Sequence, residues 1–195
     1  MSIKLSYFFA DFFVARKWIR EEDKIIYVVG MDVILSTTWQ IMIILLLGAW
    51  RKRIIEAVVY LAFFLSVRKY SGGYHASTRT GCFIFCTIAY LAADEISCRI
   101  CTMPVPHFLL VYGICSMMAA NLVFYLFAPI RNERKIYTEK QQNEARGKSF
   151  IYLNIWVCSA LAITYILPSI AGEIFLASNI VTMLILLCKP WRKKT

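Results

Sequence analysis

The feature that most limits the fold is a succession of apolar stretches near membrane length, parted by short polar connections. A hydrocarbon core takes about 20 apolar residues per helical crossing. Such stretches cover about 25–49, 54–67, 82–96, 108–128, 150–167 and 170–188. In lipid only helices and closed barrels satisfy every backbone polar group. Runs of this length read as membrane helices. The expectation is an all-α, polytopic membrane bundle of about six segments, a single domain over 1–195. Two segments, 54–67 and 82–96, are short, and read as tilted, re-entrant or buried. The chain is 59% hydrophobic and 17% charged, against roughly a quarter charged in an average soluble domain. That excludes a disordered chain and argues against a soluble one.

Residues 1–24 differ. Ile3, Leu5, Phe8, Phe9, Phe12, Phe13 and Ile19 are interleaved with Lys4, Asp11, Arg16, Lys17 and Arg20, a pattern for an amphipathic helix in the membrane interface or packed on the bundle. No short apolar core with a small-residue cleavage site follows, so no cleavable signal peptide is expected. Seven cysteines, an odd number within mostly apolar runs, do not make a disulfide framework.

The formal charge is +10. Its basic residues lie in short clusters between apolar runs, which argues against a nucleic-acid surface. With the N-terminus inside and six crossings, inside segments hold 18 Lys and Arg and outside connections hold 4. The positive-inside rule then puts both termini, the 68–81 connection and the basic 131–149 loop in the cytoplasm. Arg51-Lys52-Arg53 stands on the wrong side for that rule. It suggests incomplete crossing nearby, or side chains reaching into headgroups.

Chemistry concentrates in 68–81. Gly72-Gly73 permits a sharp turn or a close backbone approach. His75 is one of two histidines, and Cys82 lies seven residues on. On one straight helix the two would stand about 10.5 Å apart along the axis, too far for a nucleophile and its base. A working pair therefore needs a break between them. Ser77, Thr78, Thr80 and Gly81 suit a loop and cap. Cys82 would then open the next helix, whose N-terminus favours thiolate, as would Arg68 or Arg79. Spacing alone leaves structural roles open for both residues. Cys98-x2-Cys101 admits a membrane thiol oxidoreductase. Cys82-x3-Cys86 with His75 lacks a fourth metal ligand. The second histidine, His107, reads as an interfacial loop residue. Asp32, Glu56, Asp94, Glu95 and Glu173 are intramembrane acids, and a polar path through Asp32, Glu56 or Glu173 would suit a small transporter or peptide exporter. Nothing in the sequence selects one of them to orient His75.

Arg68-x3-Gly72-Gly73-x-His75-Ala76-x5-Cys82 resembles the signature of the accessory gene regulator B family, membrane cysteine endopeptidases of Gram-positive quorum sensing. Ala128-Pro129 followed by Arg134-Lys135 is a weaker match, interrupted by Glu133. Length and hydropathy also fit. The resemblance implies Cys82 as nucleophile and His75 as general base and acid, with no cofactor and no metal. Arg68, Gly72, Gly73, Arg79, Arg134 and Lys135 would support the site or bind substrate. The implied partner is a precursor peptide with an amphipathic leader and an acidic C-terminal tail. The implied product is a thiolactone or lactone ring. A homodimer in a bacterial cell membrane is implied as well.

Overall fold

The computed structural model describes residues 2–71, 79–102, 107–128 and 139–187. The described residues form seven α-helices and no strand: α1 Ser2–Ala15, α2 Lys24–Trp50, α3 Ile54–Ser71, α4 Arg79–Cys101, α5 Phe108–Phe127, α6 Glu139–Ile163 and α7 Pro168–Leu187. A 3-10 turn, Glu21–Asp23, leads into α2. The chain divides into two compact units, 1–47 and 48–195.

In the first unit the expected 1–24 helix stops at Ala15. Lys17 takes a left-handed φ of 57°. Its N–H bonds Val14 O at 2.8 Å, and that of Trp18 bonds Phe13 O at 3.0 Å. This pair of bonds is the Schellman way of ending a helix. Lys24 ties the next helix back with ion pairs to Asp11 (2.7 Å) and Glu21 (3.0 Å). Leu5, Tyr7, Phe8 and Phe12 of α1 are exposed. Inside apolar α2, the hydroxyls of Ser36, Thr37 and Thr38 donate to carbonyls one turn back, so none is left bare in hydrocarbon.

In the second unit α7 is the central helix, packed against α3, α4, α5 and α6. Every residue from Ala171 to Ser178 is buried, which is why α7 is apolar on nearly all sides. Gly113 of α5 admits the ring of Phe175: a Cβ there would stand 2.4 Å from Phe175 Cζ. α3 buries Ala57, Tyr60, Leu61, Phe64, Val67 and Ser71, spaced three and four apart as one helix face requires. Polar pairs add interhelical bonds of the kind that serve where water is absent. Asn121 and Asn154 exchange two amide hydrogen bonds, at 3.1 and 2.9 Å, between α5 and α6. Ser116 donates to Asn179, which donates to Tyr112.

The helices outrun the apolar runs. α3 continues through Arg68-Lys69-Tyr70-Ser71, and α4 starts at Arg79 and ends at Cys101. Thr80 and Gly81 are thus helical, not loop. Half of the 131–149 connection is helix as well, because α6 begins at Glu139. Its first turns are mostly Glu, Lys, Gln, Ala and Arg, good helix formers though not strongly apolar. Helix propensity and the tertiary partner, not hydropathy, set these ends. Among the described residues four helices are long and apolar enough to cross a membrane: α2 with its leading turn, α4, α5 and α7. α3 and α6 fall short of that standard, α3 carrying Glu56, Arg68 and Lys69, α6 its polar first half. Pro168 opens α7, where its missing N–H costs nothing.

Candidate active site

α3 and α4 run antiparallel, and their side chains meet at three levels. At one end Arg68 Nη1 reaches Cys86 Sγ at 3.6 Å. In the middle the rings of Tyr60 and Tyr90 meet edge to face, 5.2 Å between centroids. At the other end Arg53 Nη1 lies 2.7 Å from Asp94 Oδ1. The first level is a thiol end and the last a charge end.

Cys82 is the fourth residue of α4 and is half-buried. The first turn of a helix exposes unpaired N–H groups and the positive end of the helix dipole. Both features can receive negative charge as it forms on a reacting group there. Cys86, one turn further and buried, meets the Cys82 thiol as well as Arg68. The Arg68 guanidinium is held over the ring of Phe64, 5.0 Å from its centroid, the stacking that suits a planar cation. The chain brings a fixed positive group to a pair of thiols at a helix N-terminus. Such a group can neutralise a thiolate, or an oxyanion forming beside it. Just beyond, Tyr70 stacks on Tyr152 of α6 at 5.4 Å and 6°. Lys148 Nζ stands 5.9 Å from the Tyr70 ring. This fastens the end of α3 to α6 and gives the thiol end a basic rim.

Of the residues singled out by sequence, Arg68 and Cys82 both meet the Cys86 thiol. Arg79 begins α4. Gly72, Gly73, His75, Arg134 and Lys135 lie outside the described residues. Cys86 was the neighbour that sequence reasoning left without a role. Its i+4 spacing from Cys82 was the available signal, since residues four apart share a helix face.

The charge end accounts for the misplaced basic cluster. Lys52 has a φ of 58°. Its N–H bonds Ala49 O, and that of Arg53 bonds Gly48 O at 2.7 Å, a second Schellman ending. The corner aims its two arginines at α4. Arg51 pairs with Asp94, and its Nη2 donates to Glu95 at 2.8 Å. That bond to Glu95 holds the guanidinium above its ordinary pKa. Arg53 pairs with Asp94 and, at 3.4 Å, with Glu56. Of the acids weighed as partners for His75, Glu56, Asp94 and Glu95 are thus engaged here, at the far end of α4 from Cys82. Cys98 and Cys101 are in the last turns of α4, at the end away from Cys82. His107 Nδ1 lies 3.0 Å from Tyr165 Oη, at the same end.

Fold and site together define an all-helical membrane-associated protein with a thiol pair and an arginine at one end of its bundle. The family model for accessory gene regulator B matches residues 6–189, nearly the whole chain. The chain belongs to the accessory gene regulator B family. Membership gives it a part in processing a quorum-sensing precursor peptide at the membrane. No curated protein and no solved structure matches it.

Proposed function

We propose that the chain is a membrane cysteine endopeptidase that removes the C-terminal tail of its precursor peptide and leaves the remainder ready to cyclise. The observation that supports this most is the half-buried Cys82 in the first turn of α4, next to a Cys86 thiol that Arg68 reaches at 3.6 Å.

In this reading the Cys82 sulfur attacks the carbonyl carbon at the junction of core and tail. His75 takes the thiol proton and hands it to the leaving amine. The C–N bond breaks, the tail departs, and a thioester joins the peptide to Cys82. Arg68 offsets the negative charge that gathers on the carbonyl oxygen. A thiol or hydroxyl of the peptide then attacks the thioester, closes the ring and returns Cys82. The thioester must outlast competition from water, which a site at the membrane face favours. The basic rim of Lys69 and Lys148, with Arg79, Arg134 and Lys135, would attract an acidic tail, a pull that salt weakens. Both termini and the thiol end lie in the cytoplasm in this reading, and the protein works as a homodimer.

The test uses purified protein in liposomes with its precursor peptide. Tail release followed by mass spectrometry should vanish in Cys82→Ala and His75→Ala, and persist in Cys98→Ser and Cys101→Ser. Release that survives Cys82→Ala would overturn the mechanism. Release that needs Cys98 and Cys101 would favour a thiol oxidoreductase.

A further inference from the structure

The charge end contains one acid too many. Arg51, Arg53 and Arg99 face four carboxyl groups, those of Glu56, Asp94, Glu95 and Glu173. Asp94 takes both Arg51 and Arg53, Glu56 shares Arg53, and Glu95 takes Arg51 and Arg99. Glu173, on central helix α7, is 0% exposed, and neither of its carboxyl oxygens has a hydrogen-bond partner among the described residues. Lys52, at the corner, is exposed.

An ionised carboxylate in such a place has lost its water and gained no cation of its own, a cost that proteins avoid by neutralising the group. The neighbours offer no remedy. From the α3 side Glu173 faces Arg53, Glu56 and Tyr60, and from α4 it faces Tyr90, Asp94, Ser97 and Cys101. Arg53 is already engaged by Asp94 and Glu56. The Ser97 hydroxyl, a neutral donor within reach of the Glu173 carboxyl, donates to Ser169 O at 3.2 Å. α5 carries no charged residue, and α6 has none beyond Lys148.

We propose that Glu173 is a proton-binding site of the bundle, holding one proton at neutral pH and releasing it only when the Arg53–Asp94 pair gives way. Neutral Glu173 leaves Arg53 to Asp94, and the α3–α4 clasp stays shut. Loss of the proton makes Glu173 a rival for Arg53 and pulls that guanidinium toward α7. The proposal stands apart from the peptidase reading, since it uses no residue of the thiol end.

The test is infrared spectroscopy of the whole protein in liposomes at neutral pH. A protonated carboxylic acid gives its own carbonyl band, distinct from that of a carboxylate. The expected result is such a band in wild type, reduced by one group per chain in Glu173→Gln and in Glu173→Met, and identical in sodium and choline buffers. Both variants mimic an uncharged residue and should fold. The native wild type then binds one proton more than its unfolded state. Its folding constant should fall up to tenfold more per pH unit than that of Glu173→Gln as pH rises. The proposal fails if neither variant loses a band, if sodium abolishes it, if both variants fail to fold, or if wild type and Glu173→Gln share one pH slope. Loss of the band in sodium would make the site a cation site.

Discussion

Asp94 and Glu95 are neighbours in sequence with the same charge and arginine partners, yet their removal should differ several-fold in cost. The Asp94 side chain is 0% exposed and takes both Arg51 and Arg53. Replacing it with Asn deletes the carboxylate but leaves two guanidiniums, the Arg53 side chain only 15% exposed. Arg53 then keeps Glu56 at 3.4 Å and the carbonyl of residue 94 at 2.8 Å. Breaking a buried pair by removing one partner costs about 3–5 kcal/mol. The surviving contacts put Asp94→Asn near the low end, about 3 kcal/mol. The Glu95 side chain is 45% exposed, and its partner Arg99 76%. Exposed pairs contribute little because solvent screens them, so Glu95→Gln should leave the unfolding midpoint nearly unmoved. Equilibrium unfolding in mixed micelles, followed by circular dichroism, measures both. Equal losses, or a larger one for Glu95→Gln, would refute the reading of this end as a buried clasp.

Two further substitutions test the packing and the corner. Gly113→Ala drives a methyl into the buried Phe175 ring and should cost about 1–3 kcal/mol as overpacking does. Phe175→Leu in the same chain should recover part of that loss in the same unfolding assay. Lys52→Gly relieves a left-handed residue and should stabilise the second unit by about 1 kcal/mol, read as a higher unfolding midpoint.

The helical class was legible because hydrocarbon leaves the backbone few alternatives, and the breaks near 51–53, 102–107 and 164–168 carried charge, proline or polar residues. Helix ends were less so. Hydropathy stops at Val67 and Ile96, whereas α3 and α4 run on through residues that bond and pack at the bundle ends. The same blind spot hid the first half of α6. Arg51-Lys52-Arg53 was conspicuous as an exception, but its explanation lies more than 40 residues away in Asp94, a pairing that no local pattern encodes. Cys82 was found from its family motif, while Thr80 and Gly81, read as loop and cap, are helical. Its setting beside Arg68 and Cys86 depends on α3 meeting α4, which spacing along one helix cannot reveal. Burial of Glu173 follows from α7 being the centre of the unit. In sequence α7 was one apolar run among six.

The central claim is that Cys82 forms a thioester with the peptide. Wild-type protein in liposomes, mixed with precursor and quenched with acid within one turnover, should show an intact mass raised by the tail-less peptide. That adduct should map to Cys82, be released by hydroxylamine, and be absent in Cys82→Ala. Tail release with no adduct in wild type, or an adduct that maps to Cys86 and survives Cys82→Ala, would contradict the account.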